Sequence, residues 1–160
     1  MKERRKQADI KILDFSPELQ PAFERLNRQW IERYFEMEKP DYEILLNPQE
    51  QIIEQGGAIF FAEFDDAGIV GTIALMPEDK DNYKMVKLAV NENYQGYGIG
   101  EKLCRALLAH AEQLKARKVV LYSNTALQSA IRLYKRLGFI EVPVDNSAYE
   151  RINIKMEIFL

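Results

Sequence analysis

Apolar positions along this chain follow two periods, and the changes between them predict its secondary structure. Short runs rich in β-branched and aromatic residues are typical of strands, whereas longer stretches with an apolar residue every three or four positions are typical of helices. The predicted strands are 10–15, 58–64, 69–75, 83–90, 119–123, 139–142 and 153–159. The predicted helices are 17–37, 48–55, 99–116 and 127–137, and Lys39-Pro40 is predicted to stop the first of them.

The order of these elements predicts an α/β (α+β) fold. The early strands are joined by short polar segments, a hairpin loop at 65–68 and a turn at 77–81, so they should pair antiparallel. The helix at 99–116 lies between two strands, which predicts one parallel pair with a right-handed crossover. We therefore expect a mixed, mostly antiparallel sheet of six to seven strands with about four flanking helices, in a single domain over residues 1–160 with its core at about 10–159.

A glycine-rich segment, Gln95-Gly96-Tyr97-Gly98-Ile99-Gly100, joins strand 83–90 to helix 99–116. Glycine allows a tight turn and close approach of a ligand to the backbone, and the first amides of a helix attract anions. The segment therefore predicts a diphosphate site. A dinucleotide fingerprint would need its third glycine at Glu101, and the chain has no Walker-type string, so another diphosphate nucleotide is the disfavoured alternative.

Composition narrows the class of protein. The net charge of −3 offers no field for nucleic acid, and no run approaches the roughly 20 apolar residues of a membrane span, so we expect a cytoplasmic protein. Cys104 is the single cysteine and His110 the single histidine. Both fall on the predicted helix 99–116 among apolar residues, which favours packing roles and argues against a metal site.

A second block begins in the helix 127–137, where Ala130 and Tyr134 are four residues apart, and ends just after it at Gly138-Phe139, four residues further on. Gly138 is placed to end that helix in a left-handed conformation. Together with Leu88-Ala89-Val90 and the glycine loop, this order resembles the GCN5-related N-acetyltransferase (GNAT) family over nearly the whole chain. The two matching blocks are the Gln/Arg-x-x-Gly-x-Gly loop and the Ala-x-x-x-Tyr-x-x-x-Gly-Phe helix.

The resemblance implies transfer of the acetyl group of acetyl-CoA to a primary amine of a small molecule or peptide, by direct attack in a ternary complex. It also implies that the central parallel strands splay apart to admit the cofactor. Asn124 would take the place of a family asparagine whose usual position is Leu127 here. The cofactor-binding residues that it implies are Leu88, Ala89, Val90, Gln95, Gly96, Tyr97, Gly98, Ile99, Gly100 and Asn124.

The implied catalytic residue is Tyr134, whose hydroxyl would give a proton to the departing thiolate of CoA. The general base is left open, because Lys84 stands where some relatives carry a glutamate. Lys84 could instead meet an anionic group of the substrate. The alternative function is a catalytically weak or inactive module that senses acyl-CoA. The unranked candidate bases are Glu32, Glu36, Glu63 and Glu78.

Acceptor specificity is expected in segments 29–55 and 144–151. Trp30 and Tyr34 lie on the apolar stripe of the first helix and are predicted to be core residues. Either an acidic rim for a cationic amine or a solvated helix end explains the nearby acids, Glu36, Glu38, Asp41 and Glu43. The acceptor itself is not identified, and either a monomer or a homodimer is expected.

Overall fold

Seven strands form one mixed sheet in a computed structural model of the protein, which describes residues 9–144 and 149–160. Their order across the sheet is β1-β2-β3-β4-β5-β7-β6. Neighbours pair antiparallel except for the central β4 and β5, which are parallel as predicted. The strands are β1 (Ile10–Asp14), β2 (Ala58–Phe64), β3 (Ile69–Asp79), β4 (Asn82–Val90), β5 (Lys118–Ser123), β6 (Ile140–Val142) and β7 (Ile154–Phe159).

Helices cover both faces of this sheet. The first two pack over β2 to β4, where Phe23, Leu45 and Phe61 belong to one buried cluster. The other two cover the opposite face, where Leu103 and Tyr134 belong to a larger cluster. The helices are α1 (Gln20–Tyr34), α2 (Lys39–Leu46), α3 (Ile99–Gln113) and α4 (Gln128–Leu137), and a single π-helical turn spans Gln49–Ile53.

The prediction for Lys39-Pro40 was wrong, because these residues begin a helix instead of ending one. Helix α1 already ends at Tyr34, and Pro40 lies in the first turn of α2. Proline suits that position, since its fixed φ is helical and its missing N–H would have no helical partner there. A capping box completes the start of α2, in which the backbone N–H of Glu38 donates to Asp41 Oδ2 at 2.9 Å.

Two further predictions are corrected. Residues 77–81 are mostly strand, because β3 continues to Asp79 and β4 begins at Asn82. Tyr34 is 55% exposed and is not a core residue. The buried stripe of α1 passes through Ile31, which leaves Trp30 only half-buried.

The two central strands separate beyond their first half. Pairing of β4 with β5 ends at Met85 and Leu121, so the edge of β4 over residues 86–90 has no partner in β5. On its other side β4 carries a bulge, because Ala74 pairs with Val86 whereas Thr72 pairs with Ala89. The fold thus opens a cleft at the middle of its sheet, beside the start of α3.

Candidate active site

The glycine loop has the geometry of an anion site. Gly96 and Gly98 adopt φ of +88° and +80°, and a Cβ added at either would meet no atom within 4 Å. The carbonyl of Gly98 accepts the first α-helical bond, from the N–H of Lys102 at 3.1 Å. The amides at the start of α3 therefore lack helical partners, and they adjoin the open space above the two glycines.

An acid in this first turn is neutralised. Glu101 would oppose a bound anion, but Arg136 and Arg105 donate to its carboxylate at 3.1 Å and 3.3 Å. The hydrogen bond from Arg136, followed by that from Arg105, lowers the pKa of Glu101. The pair of Glu101 with Arg105 has helical i, i+4 spacing and is visible in the sequence, whereas only the tertiary structure brings Arg136 to the loop.

The side chains between the glycines support the loop from below. The ring of Tyr97 packs against Phe64 with centroids 5.3 Å apart, and Ile99 is buried. These two residues are therefore left with backbone groups to offer to a ligand. Gln95 is exposed and lines a cavity beside the loop.

Three elements of the predicted site meet at Gly100. A Cβ on this residue would lie 3.4 Å from Leu133 Cδ2 and 3.9 Å from Val90 Cγ2. The start of α3 therefore contacts the end of β4 and the middle of α4. At that end of β4, Leu88 and Val90 are partly exposed and Ala89 is buried.

Tyr134 is almost wholly buried in α4, with only 7% of its surface exposed. Its ring packs edge to face against Phe139, with centroids 6.0 Å apart. Burial, with a smaller contribution from Cys104, raises the pKa of the phenol. Its hydroxyl has no hydrogen-bond partner within 9–144 and 149–160, so a protonated donor is left for another group.

Asn124 is engaged within the protein. Its Nδ2 donates to the carbonyl of Arg151 at 2.6 Å, and its Oδ1 accepts from the N–H of Ala126 at 2.8 Å. The side chain thus shapes the turn between β5 and α4 and ties it to the residues before β7. Contact of Asn124 with the cofactor stays a prediction.

A charged cluster, which we define as Glu38, Asp41, Lys87 and Arg151, lies on the α2 side of β4. The guanidinium of Arg151 donates to both carboxylate oxygens of Asp41, at 2.7 Å and 2.8 Å, and Lys87 Nζ donates to Oδ1. Glu38 accepts from Arg151 at 3.2 Å. Asp41 is fully buried, so neither a rim nor a solvated helix end describes it.

The electrostatics of this cluster keep Asp41 ionised. Burial alone would raise the pKa of its carboxyl, but the hydrogen bonds from Arg151 and the charge of Lys87 outweigh burial and hold the pKa below its usual value. The cluster joins the two segments predicted to set acceptor specificity, 29–55 and 144–151. Sequence spacing alone could not reveal it, because Lys87 and Arg151 lie 46 and 110 positions from Asp41 in the chain.

A cavity of about 330 Å³ lies between the end of α1 and the connection from β4 to α3. The indole of Trp30 and the ring of Tyr34 provide apolar surface, and an ion pair between Arg33 and Glu92 bridges its two sides. Glu92 was missed in the sequence because it belongs to a short turn without a motif. The lining residues are Gln29, Trp30, Arg33, Tyr34, Val90, Glu92, Asn93 and Gln95.

The candidate bases lie outside this cavity. Glu32 and Glu36 are exposed, and Glu32 is paired with Arg28 at 3.1 Å. Glu63 lies in β2, two strands from β4, and Glu78 is exposed and accepts from the hydroxyl of Tyr122 at 3.5 Å. Lys84 lies in the first half of β4, between Met76 and Val120 on the neighbouring strands.

Cys104 and His110 have the packing roles that were predicted. Burial raises the pKa of the Cys104 thiol to about 12, and the ring of His110 packs edge to face on Phe60 with centroids 5.5 Å apart. Over the described ranges, no group of three or more His, Cys, Asp or Glu side chains is arranged to hold a metal ion. Within the same ranges, each helix is too short or too polar to cross a bilayer.

Comparisons with known proteins agree with this geometry. The model of the acetyltransferase (GNAT) family matches residues 23–139. The chain therefore belongs to this family, which confirms the resemblance seen in its sequence, and the family uses acetyl-CoA.

Individual relatives match only part of the chain or have low sequence identity to it. The chain is 39% identical over 71 residues to spermine/spermidine N(1)-acetyltransferase of Bacillus subtilis, covering 41% of this chain and 47% of that protein. It is 27% identical over 136 residues to human N-acetyltransferase 8B, covering 81% and 59%. The chain thus spans about half the length of these curated relatives. A crystal structure of a phosphinothricin acetyltransferase from Sinorhizobium meliloti, solved with acetyl-CoA, has the same fold, with a TM-score of 0.79, 16% identity and coverage of 95% and 89%.

Proposed function

We propose that the protein is an N-acetyltransferase that moves the acetyl group of acetyl-CoA to a primary amine of a small molecule or peptide in a ternary complex. The observation that carries this proposal is the meeting of β4, α3 and α4 at Gly100. It brings the glycine loop, a strand edge without a partner in β5 and the helix of Tyr134 to one cleft. Family membership and the amine substrates named in its relatives support the same reaction.

The described residues fit a CoA thioester. Amides from Gly96 to Gly100 would hold the diphosphate, since the space above Gly96 and Gly98 is open and Glu101 is neutralised. Backbone groups of Leu88 and Val90 would pair with the pantetheine arm along the free edge of β4. Because both polar atoms of its side chain have protein partners, Asn124 would contribute by holding its turn.

Acetyl-CoA, when bound, supplies an activated thioester carbonyl. The N–H of Val90 would polarise the carbonyl oxygen, and the cleft would hold the acceptor nitrogen in line with the carbonyl carbon. As the C–N bond forms and the C–S bond breaks, Tyr134 would give its hydroxyl proton to the sulfur. The acceptor nitrogen would lose its proton to water, and the phenol would regain one from solvent.

The cavity between α1 and the β4–α3 connection is our site for the acceptor. It includes Val90, at the strand end where the thioester would lie, and the ion pair of Glu92 with Arg33, whose carboxylate would have to be shared with an ammonium group. Its wall contains Trp30 and Tyr34, within the segment predicted to set specificity. We therefore expect the acceptor to present an apolar or aromatic-stacking part next to its amine.

The first test is binding and turnover. Calorimetric titration with acetyl-CoA, NAD and ATP should give heat with acetyl-CoA alone, and thiol release should be detected with at least one member of a panel of diamines, amino acids and peptides. Initial rates with both substrates varied should give intersecting lines, as a ternary complex requires. Acetyl-CoA binding without thiol release toward any amine would favour the sensor, and binding of NAD or ATP instead would overturn the proposal.

The second test concerns the acceptor cavity. Tyr34→Ala should raise the KM for the amine by about tenfold, while the KM for acetyl-CoA stays unchanged. Leu46→Ala is the matched control, because Leu46 is 50% exposed and lines a different cavity, of about 270 Å³, near Pro48. Equal effects of the two substitutions would place the acceptor elsewhere.

A further inference from the structure

The backbone of Lys87 is exceptional among strand residues of this protein. Its φ is +57°, in the left-handed region that side chains with a Cβ rarely adopt. Within the described ranges, the other non-glycine residues with positive φ, Asp65, Asp81 and Lys115, lie in turns or just after a helix. Lys87 lies inside β4, at the bulge.

This bulge governs which way the end of β4 faces. An extra residue in one strand bends it and increases its twist. The bulge lies at the start of the half of β4 that does not pair with β5, from Val86 to Val90. Leu88 and Val90, whose backbone groups we assign to the cofactor, follow directly after Lys87.

The side chain of Lys87 is anchored. Its Nζ donates to the buried Asp41 and, at 3.3 Å, to the hydroxyl of Tyr149, and only 4% of the side chain is exposed. Asp41 is in turn held by two hydrogen bonds from Arg151 and by the capping box of α2. The bulged residue is therefore fixed at its far end to two other parts of the fold.

Glycine would satisfy the backbone of position 87, yet the chain has lysine there. A left-handed residue in a strand persists only where the surroundings determine its conformation. The ion pair supplies such a constraint, because Nζ can reach Asp41 only from this side of β4. The side chain of Lys87 is not buried simply to pack against apolar residues, because it ends in a charge that is paired with the buried Asp41.

We propose that Lys87 is a positioning residue for acetyl transfer: its ion pair with Asp41 holds the bulge of β4 in its left-handed conformation and thereby directs the backbone of Leu88 to Val90 at the thioester. The inference rests on the proposed function. Lys87 acts through the backbone of the residues after it and touches neither substrate.

The test compares Lys87→Gly with Lys87→Ala. Both variants lose the ion pair equally and leave Asp41 with Arg151, but glycine accepts the left-handed backbone and alanine resists it. We expect kcat to fall at least about tenfold in the alanine variant and several-fold less in the glycine variant. The Kd for acetyl-CoA should rise more in the alanine variant than in the glycine variant, because the backbone of Leu88 and Val90 that we assign to the pantetheine arm follows the bulge. The melting temperature should be higher for glycine than for alanine, opposite to the usual order in a strand.

Each outcome bears on the proposal. Equal loss of kcat in the two variants would show that the side chain itself takes part, and full activity in both would show that the bulge needs no anchor; either result overturns the inference. If the alanine variant does not fold, Lys87→Asn and Lys87→Gln make the same comparison, because asparagine tolerates positive φ better than glutamine. If the unsubstituted protein neither binds acetyl-CoA nor acetylates an amine, the proposed function fails, while the order of melting temperatures still tests the anchor.

Discussion

Asn124 and Arg151 are joined by a hydrogen bond of 2.6 Å, from the side-chain amide of the first to the backbone carbonyl of the second. The bond connects the turn after β5 to the residue whose guanidinium holds Asp41. One side of the cleft is thereby tied to the charged cluster on the other. A residue implicated in cofactor binding by its position thus has a structural partner as well.

Substitution of Asn124 separates these two roles. Asn124→Ala removes two hydrogen bonds and should lower the free energy of unfolding by about 1–3 kcal/mol, measured by urea denaturation. The Kd for acetyl-CoA should change less than about threefold. Asn124→Asp is the control, since it retains the acceptor for Ala126 but sets a carboxylate against the carbonyl of Arg151, and it should be less stable still. A large loss of affinity in a fully stable alanine variant would show direct contact with the cofactor.

Tyr134→Phe tests the proton donor. The substitution keeps the ring packed on Phe139 and removes only the hydroxyl, which has no partner in the described residues, so stability should change little. Without the acid, kcat should fall by about 100-fold or more, with the Kd for acetyl-CoA unchanged. Single-turnover measurements would confirm that the chemical step is affected. Unaltered turnover would reduce Tyr134 to a packing role.

The alkaline limb of the pH–rate profile provides a separate check on Tyr134. Burial raises the pKa of its hydroxyl above the ordinary value of about 10. The donor therefore stays protonated as the pH rises. Once any loss from unfolding is subtracted, kcat should not decline up to about pH 9.5. A fall of kcat with an apparent pKa near 8 would indicate that another acid donates the proton.

Gly96→Ala tests the anion site. Alanine at φ of +88° is strained, and its Cβ would meet no nearby atom. Backbone strain alone should therefore lower the free energy of unfolding, by about 1–2 kcal/mol. The Kd for acetyl-CoA should rise by about tenfold, because the loop amides are displaced from the diphosphate. Gly56→Ala is a matched control, with φ of +93°, a position before β2 and only an ordinary contact for the added Cβ, with Pro77 Cγ at 4.0 Å. The Gly56→Ala variant should lose a similar amount of stability but bind acetyl-CoA with unchanged affinity. Equal affinities of the two variants for acetyl-CoA would contradict an anion site at Gly96.

Acid should weaken the charged cluster. The folded pKa of Asp41 lies below the unfolded value of about 3.9, so its stabilisation is present above that pH and is lost as the pH falls through the folded pKa. Asp41→Asn should lower the free energy of unfolding by about 3–5 kcal/mol at pH 7, because Lys87 and Arg151 lose their shared counter-charge. This difference from the unsubstituted protein should narrow below about pH 4 in denaturation experiments. Glu36→Gln, an exposed acid between α1 and α2, should leave the acid dependence unchanged.

Local pattern was enough to predict the seven strands and helices α1, α3 and α4 in their order, but not helix α2. Period-2 and period-3.6 apolar patterns identified the strands and helices, and the helix between β4 and β5 indicated their parallel pairing. The glycine loop was recognisable because its positive φ angles leave few alternatives to glycine. Lys39-Pro40 was misread because proline suits both the end of one helix and the first turn of the next, and the choice depended on Glu38 and Asp41.

The amino-acid sequence by itself determined the order of the elements, the family and the backbone chemistry of the glycine loop, because each depends on residues close together in the chain. Only the tertiary structure decided the ion pair of Lys87 with Asp41, the bond of Asn124 to Arg151 and the cavity that Glu92 lines. These contacts join distant segments, and a charged residue that is buried by such a partner has the same local spacing as one that is solvated. The energy of each such contact depends on the desolvation of its groups and on the distance between them, and both are set only when the chain folds.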